Sequence, residues 1–262
     1  TAAKAVATME ELNRRYPGDH DLEFQLAGAY ADSATVAQTA VLDPRLIARY
    51  EKALGIQRSL LTADPEHALR YWRGVLVNTY NIGRNLYANG DYQAALSEFR
   101  EAAAAAERIA GDRNNIQAQQ DSARVAWKLG ETLTALGRTD EAAAVLAPGE
   151  TALQSIAARG GTLEVEYLRA ATDQAFGQLE IRRAAAAAER SALLQHWRAA
   201  HDRLASSLRR YQSVTKGGAT LEPMDQRDIA EASADLARSD AAIARLQGGA
   251  PGDPQAARGQ SR

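Results

Sequence analysis

Two stretches of the sequence repeat one another and decide the fold. Residues 81–90 read NIGRNLYANG and residues 128–137 read KLGETLTALG, so both glycines of the first stretch recur 47 residues later. The match continues past the second glycine, where Phe99 corresponds to Leu146 at the same displacement, and Gly177 gives a third echo. A fixed displacement of this size is typical of helical repeats that stack into an array.

Each repeat is predicted to be two antiparallel helices. Gly83 lets a neighbouring helix approach closely, and Gly90 and Gly137 lie where a helix-ending residue adopts positive φ. In the best unit, residues 91–110 form the second helix because their apolar side chains recur at spacings of three and four. These side chains are Tyr92, Ala95, Leu96, Phe99, Ala102, Ala103, Ala106 and Ile109.

The composition agrees with helices and narrows the function. Only 6% of the 262 residues are aromatic, and the abundant alanine, leucine, glutamate and arginine favour helix. A net charge of −2 gives no general attraction for nucleic acid, so no nucleic-acid partner is expected. We see no apolar run of about 18 residues that would cross a bilayer. The absence of cysteine excludes disulfides and thiolate chemistry.

The rest of the chain extends the array at both ends. Residues 1–17 are predicted as an N-terminal helix and residues 18–247 as the repeat domain. The first unit, residues 21–63, contains an extended loop over residues 33–43. Asp43-Pro44 and Asp64-Pro65 are helix-start signals, with aspartate as the cap and proline in the first turn.

Three long helices are predicted after Gly160-Gly161, over residues 163–188, 191–214 and 223–246. The last is a terminal cap, which an array needs because its final repeat has no partner to cover it. Residues 248–262 are predicted to be a disordered tail, since they contain almost nothing to bury.

Charge and alanine patterns suggest how these helices pack. Seven arginines against two acids lie between residues 182 and 211, and six acids against two arginines lie between residues 222 and 240. Opposite charges predict that these two helices lie side by side. The alanine runs 102–106 and 184–188 predict close approach between helices, because alanine permits short interaxial distances.

The units resemble tetratricopeptide repeats, with Gly83, Ala95, Phe99 and Ala102 in the small and aromatic positions of that pattern. The spacing of 47 residues exceeds the usual 34, which implies lengthened helices. The resemblance implies an all-α, tetratricopeptide-like solenoid of helical hairpins, about ten long helices in all, with a C-terminal capping helix.

A narrower resemblance is to the C-terminal repeat region of bacterial transmembrane serine/threonine protein kinases. It rests on the segments 58–60 (RSL), 63–65 (ADP), 80–83 (YNIG), 197–200 (WRAA) and 239–243 (SDAAI). In that family the kinase is cytoplasmic, one helix crosses the inner membrane, and the repeat region faces the periplasm as a sensor. The resemblance therefore implies a periplasmic, non-catalytic sensor within a membrane-anchored parent protein.

The sequence shows no catalytic or metal-binding pattern in this region. A kinase needs a glycine-rich loop, a strand lysine and an Asp-Phe-Gly motif, and we find none of them. His196 and His201 lie five residues apart, which separates them by about 140° on a helix, so they are predicted to be surface or partly packed residues. We therefore expect no catalytic residue, no metal ion and no cofactor.

In tetratricopeptide domains the first helix of each unit lines the concave surface where partners bind. The resemblance therefore implies a partner-binding surface on two first helices, and Asn81 and Lys128 also resemble positions that recognise peptide carboxylates. The candidate residues are Tyr80, Asn81, Arg84, Tyr87, Arg124, Trp127, Lys128 and Glu131. Packing into the core is the alternative role for Tyr80 and Trp127.

The expected partner is a protein or peptide, such as an envelope component, or a second copy of the chain in a homodimer. Two other functions stay open at this point. One is a cytoplasmic scaffold that holds a peptide in the same groove. The other is a helical-array hydrolase, which would need a deep pocket with convergent titratable groups.

Overall fold

The computed structural model describes residues 1–36, 44–110, 115–221 and 223–248. Within these ranges the chain forms ten α-helices and one short 3-10 turn, Pro65–His67. The helices are α1 (Ala2–Arg15), α2 (His20–Val36), α3 (Pro44–Ala63), α4 (Ala68–Ala88), α5 (Tyr92–Ile109), α6 (Ile116–Ala135), α7 (Thr139–Ala158), α8 (Leu163–Ala186), α9 (Arg190–Lys216) and α10 (Pro223–Gly248). The predicted all-α fold is confirmed.

Successive helices pack against one another as hairpins. The most extensive contacts lie within the pairs α8–α9, α4–α5 and α6–α7, and α6 also contacts α8 of the next hairpin. One continuous hydrophobic core runs from α2 to α9 through these contacts. The chain is therefore an array of helical hairpins, in which α4, α6 and α8 are the first helices of three consecutive hairpins.

The repeated glycines lie at points of close approach between helices, as predicted. A methyl group placed on Gly83 would lie 2.8 Å from Phe99 Cε1, and one on Gly130 would lie 2.4 Å from Leu146 Cγ. Phe99 and Leu146 are fully buried on the second helix of each hairpin. The 47-residue displacement therefore preserves a contact, in which a buried side chain lies directly on a glycine.

The second glycine of each stretch ends its helix, also as predicted. Gly90 has a φ of 82° and Gly137 a φ of 76°, a region that residues with a Cβ rarely adopt. In the first of these turns the Asp91 carboxylate then caps α5 by accepting a hydrogen bond from Ala94 N at 3.1 Å.

The third hairpin keeps the glycine contact but has longer arms. A methyl group on Gly177 would lie 2.6 Å from Leu204 Cγ, yet 27 residues separate this pair, against 16 for the equivalent pair in α4–α5. Its connection contains no glycine, and Ala187 and Glu189 are extended, with ψ of 132° and 133°. The 11 added residues, about three helical turns, are shared between α8 and α9.

The two alanine runs behave differently. In the run 102–106, Ala102, Ala105 and Ala106 are buried in the core, which agrees with close helix approach. The prediction for 184–188 was wrong, because α8 ends at Ala186 and most of the run is exposed. Only Ala184 of this second run is fully buried, and the other residues form the end of α8 and the start of a turn.

The charge pattern correctly predicted that α9 and α10 are neighbours, but the opposite charges of these two helices are not the main reason. Helices α9 and α10 do pack side by side. However, Arg203 pairs with Glu150 and with Asp173, and Arg210 pairs with Asp173 at 3.0 Å and with Glu166 at 2.7 Å. These acids belong to α7 and α8, so the arginines of α9 mainly join it to the preceding helices.

Several predicted boundaries shift. The loop predicted for residues 33–43 is helical up to Val36, and residues 37–43, with the Asp43 cap, lie outside the described residues. Pro65 does begin a helical turn, but Asp64 does not cap it, because its carboxylate accepts a hydrogen bond from Tyr71 Oη at 2.5 Å. Helix α10 includes Gly248, and the predicted tail from residue 249 onward lies outside the described residues.

Candidate functional site

A cleft of about 510 Å³ opens on the face formed by the three first helices. Helices α4, α6 and α8 supply most of its walls, and residues 219–221 with Asp225 close one side. We call this cavity the central cleft. Five of the eight predicted binding residues line it, namely Tyr80, Asn81, Arg84, Arg124 and Trp127.

The other three predicted residues lie on the same helices but outside the central cleft. Tyr87 and Glu131 line a neighbouring cavity of about 410 Å³, together with Asp235 and Arg238 of α10. Lys128 is buried on α6 between the two cavities. The structure therefore places all eight residues on one face, but α10 covers part of it.

Several of these residues are also part of the core. Tyr80 is 7% exposed and Trp127 is 3% exposed, and both belong to the main hydrophobic cluster. Tyr80 packs against Phe99 with ring centroids 5.8 Å apart. The packing role considered for Tyr80 and Trp127 is therefore the one the structure describes, and each residue presents only an edge to the central cleft.

Trp127, Lys128 and Glu131 form one buried polar cluster. Trp127 Nε1 donates a hydrogen bond to Glu131 Oε1 at 2.5 Å, and Lys128 Nζ donates one to Glu131 Oε2 at 2.8 Å. The Lys128 ammonium also lies 4.0 Å from the centre of the Trp127 ring. Asp228 of α10 adds a second carboxylate, 3.8 Å from Lys128 Nζ.

The charges of this cluster depend on one another. Burial lowers the pKa of Lys128, but the Glu131 and Asp228 carboxylates outweigh burial, and the net shift of this pKa is upward. Burial and Asp228 raise the pKa of Glu131, and Lys128 only partly opposes them. Two carboxylates thus face one ammonium, which keeps Lys128 charged.

Arg84 lies beside the cluster, at the inner end of the central cleft. Burial lowers the pKa of Arg84, but two tyrosines and two carboxylates together raise this pKa by more, so the net shift is upward. These groups are Tyr80 and Tyr167 of the first helices and Asp225 and Asp228 of α10. Both carboxylates therefore come from the last helix of the chain.

Arg124 lies at the mouth of the central cleft and is the most accessible of the predicted cations there. It pairs with Glu164 of α8 and lies 3.7 Å from Asp121 Oδ1, and its side chain is 29% exposed. Arg73 of α4 lies 3.5 Å from the other oxygen of Asp121. These pairs link α4, α6 and α8 along one edge of the cleft.

The sequence analysis missed Tyr167, which forms much of the cleft wall. Its ring packs against Trp127 and Tyr211, at centroid distances of 6.0 and 5.8 Å. Its hydroxyl donates a hydrogen bond to Asp225 Oδ1 at 2.7 Å. Burial and the nearby Tyr211 and Asp225 raise the pKa of Tyr167. No repeat position marks Tyr167, because its contacts join α8 to α6, α9 and α10 together.

A second missed feature is a row of exposed apolar residues at the start of the first helices. Leu69, Ile116 and Leu163 are 63%, 45% and 41% exposed. They lie 47 residues apart, so they occupy the same position of three consecutive hairpins. We call these three residues the apolar row. A search for apolar residues that recur at the same 47-residue displacement as the glycines would have identified this row from the sequence.

The histidines and the acids of the described part of the chain are paired with one another or lie apart. His196 is partly buried and lies 2.6 Å from Glu180 Oε2, and His201 lies 3.1 Å from Asp202 Oδ1. Both agree with the predicted surface or partly packed role. In the described ranges, no three histidine, aspartate or glutamate side chains are grouped so that they could hold a metal ion.

Comparison with known proteins adds little to this geometry. No family model matches the chain, and no curated protein matches it. The crystal structure of BtubC (BKLC) from P. vanneervenii aligns with 14% identity and a TM-score of 0.48, over 100% of this chain and 94% of that chain. A likeness at that score carries no argument about function. Among the described residues, no helix has the length and apolar character needed to cross a membrane.

Proposed function

We propose that this chain is a non-catalytic binding module that holds a segment of a protein partner in the central cleft. The observation that carries the proposal is the coincidence of five predicted binding residues with one cleft of about 510 Å³. Sites that recognise peptides combine apolar walls with a few oriented polar groups. Leu76, Val77 and Leu163 supply the apolar part of this cleft, and Asn81 and Arg124 supply polar groups.

The apolar row supports the same proposal. Exposed leucine and isoleucine side chains at one position of three hairpins give an extended contact surface, because stacked repeats place equivalent positions side by side. Leu163 belongs both to this row and to the central cleft. A partner segment bound in the central cleft could therefore extend onto the apolar row and contact it as well.

The charge states in the central cleft favour binding over catalysis. A general acid or base works best with a pKa near the operating pH. The shifted groups in the cleft are Tyr167 and Arg84, and both pKa values are raised, away from neutrality. A charged Arg84 and a neutral Tyr167 phenol suit recognition, which supports a binding module over the hydrolase alternative.

We extend this proposal to the cellular context that the sequence resemblance implies. In that context the module is the periplasmic sensor of a membrane-anchored serine/threonine kinase, and a bound partner shifts a conformational or dimerisation equilibrium of the receptor. A partner can do this only by binding one state more tightly than the other. A kinase domain and an apolar segment of about 20 residues encoded next to this region would support the receptor. Their absence would favour the cytoplasmic scaffold.

The experiment tests whether the central cleft is the binding surface. The apolar side chains of Val77 and Leu163 line the cleft and are 40% and 41% exposed. A Val77→Asp, Leu163→Asp variant replaces both of them with carboxylates. We expect partner capture from an envelope extract to fall at least ten-fold, because a partner would have to desolvate both charges. Quantitative mass spectrometry of the captured proteins gives the readout.

The matched control is Tyr16→Asp, which adds a carboxylate at an exposed aromatic residue next to α1. This control should capture the partner as well as the unaltered chain, and circular dichroism should show the same helicity for all three proteins. Equal capture by the cleft variant and the control would remove the central cleft as the binding surface.

A further inference from the structure

The first half of α10 makes polar contacts with the first helices as well as packing on α9. Asp225 accepts a hydrogen bond from Tyr167 of α8 at 2.7 Å, and the Asp228 carboxylate lies 3.8 Å from Lys128 Nζ of α6. The backbone oxygen of Asp228 also accepts a hydrogen bond from Gln174 Nε2 at 2.8 Å. A terminal cap needs to cover only α8 and α9, yet α10 reaches across to α6.

The contacts are arranged as a helical ligand would arrange them. Asp225 and Asp228 are three residues apart, so they lie on one side of α10. Opposite them, the first helices present two buried or nearly buried cations, Arg84 and Lys128, with the Tyr167 hydroxyl between the helices. The carboxylates of α10 therefore complement cations that the first helices supply.

Helix α10 has 26 residues and packs mainly on α9, with Ile229 and Leu236 partly buried against the rest of the array. Its fully buried side chains in the described part are small, namely Ala232, Ser239 and Ala242. Ala232 belongs to a small cluster with Ala200 and Leu204 that is separate from the main core. Elements that bury little apolar surface open locally before the rest of a protein unfolds.

We propose that α10 occupies the place of a partner segment, and that the partner is an acidic helix that displaces it. The inference rests on the proposed function, because it names the partner class for the same face of the array. Such a helix would carry two carboxylates three residues apart, one toward Tyr167 and one toward Lys128. Its apolar side chains would contact the central cleft that α10 leaves open.

The test uses the full chain and a synthetic peptide with the sequence of residues 223–248. An Asp225→Asn, Asp228→Asn variant removes both carboxylates from the resident helix while keeping its shape. We expect hydrogen exchange of the α10 amides to become at least ten-fold faster in this variant, with the amides of α4 to α8 unchanged. The peptide should bind this variant at least ten-fold more tightly than it binds the unaltered chain, because the resident helix competes less.

Trp127 reports binding, since its ring centre lies 4.0 Å from the Lys128 ammonium that Asp228 faces. With Trp72 and Trp197 replaced by phenylalanine, the emission of Trp127 should change when the peptide binds. A second peptide with asparagine at both aspartate positions should bind at least ten-fold more weakly. The matched control for the chain is Asp240→Asn, which removes an exposed acid of α10 that faces His201 of α9.

Each outcome decides the inference. Faster α10 exchange with carboxylate-dependent peptide binding at Trp127 supports it. Unchanged α10 exchange, equal affinity of the two peptides, or an equal effect of Asp240→Asn would overturn it. The proposed function fails separately, if Val77→Asp, Leu163→Asp leaves partner capture intact while the peptide still binds beside Trp127.

Discussion

The hairpins α4–α5 and α6–α7 follow one pattern, whereas the α8–α9 hairpin with α10 departs from it. In the first two, a glycine accepts a buried side chain 16 residues later, and a glycine with positive φ makes the turn. The third keeps only the glycine contact, extends both arms and turns through extended residues. The difference teaches that the glycine contact is the invariant part of the array, while arm length and turn vary where the chain must close over itself.

The regular and irregular regions also hold their charges differently. Lys128 of α6 is 7% exposed at its side chain and faces Glu131 and Asp228. Arg203 of α9 faces Glu150 and Asp173 but is 35% exposed at its side chain. A buried charge such as Lys128 is costly to leave without its partner, because burial removes most of the water that would otherwise solvate it.

The largest expected effect comes from Lys128→Met, which would remove the ammonium that faces both the Glu131 and the Asp228 carboxylate. We expect the free energy of unfolding to fall by about 3–5 kcal/mol, the usual result of breaking a buried ion pair. Chemical denaturation followed by circular dichroism measures it. Arg203→Met is the matched change in the third hairpin and should cost about 1 kcal/mol, because solvent screens that network. Equal losses would show that burial does not distinguish the two regions.

The next largest effect tests the glycine contact. In Gly130→Leu the first added carbon alone would lie 2.4 Å from Leu146 Cγ, so the two helices must separate. We expect a loss of about 3 kcal/mol from overpacking, measured as a shift in the denaturation midpoint. Gly83→Leu tests the same contact one hairpin earlier.

Gly55→Ala is the control for this prediction, because Gly55 is an exposed residue of α3 with no neighbour within 4 Å of an added carbon. It should raise the free energy of unfolding by about 0.5–1 kcal/mol, since alanine favours helix over glycine. A melting temperature unchanged by Gly130→Leu would refute the close helix contact.

The hairpin turns give a smaller effect with opposite signs. Gly90→Ala places a Cβ at a φ of 82° and should cost about 1–2 kcal/mol. Glu189 precedes α9 in an extended conformation, and its side chain makes no capping hydrogen bond. Glu189→Ser should therefore stabilise the chain by about 0.5–1 kcal/mol, because serine can cap the helix. Thermal melts of both variants measure the difference, and two losses of similar size would contradict it.

The smallest effect is a pH dependence of the buried cluster. The pKa of Glu131 is raised in the folded chain, so the folded state holds this proton more tightly than the unfolded state. The stability from Glu131 is therefore present at acidic pH and is lost as pH rises from the ordinary glutamate value through the folded pKa. Relative to Glu131→Gln, the unaltered chain should lose stability over this range in denaturation curves at successive pH values. A difference that stays constant with pH would contradict the assignment.

Much of the regular region could be predicted from the sequence. The close helix approach at Gly83 was predicted from the sequence, and the structure shows that Phe99, which shares the 47-residue displacement, is the side chain in contact with it. The partner of Gly177 could not be found this way. The 47-residue displacement points from Leu146 to Leu193, whereas the longer arms place Leu204 on the glycine.

The candidate site was predictable only as a face. Spacing placed Tyr80, Arg84 and Trp127 on the first helices, and the structure groups them in the central cleft. Their burial depends on contacts between hairpins, which the pattern of one helix cannot show. A long-range contact likewise brings Tyr167 and Asp225 together, although 58 residues separate them.

The sequence by itself determined that the chain is helical, that hairpins repeat every 47 residues and that glycines mark the helix contacts. These properties are local, since they depend on propensity, spacing and the missing Cβ of glycine. Only the tertiary structure decided that α10 reaches back to Lys128 and that part of the predicted binding face is covered. That outcome depends on a few long-range polar contacts between α10 and the first helices, which no single repeat contains.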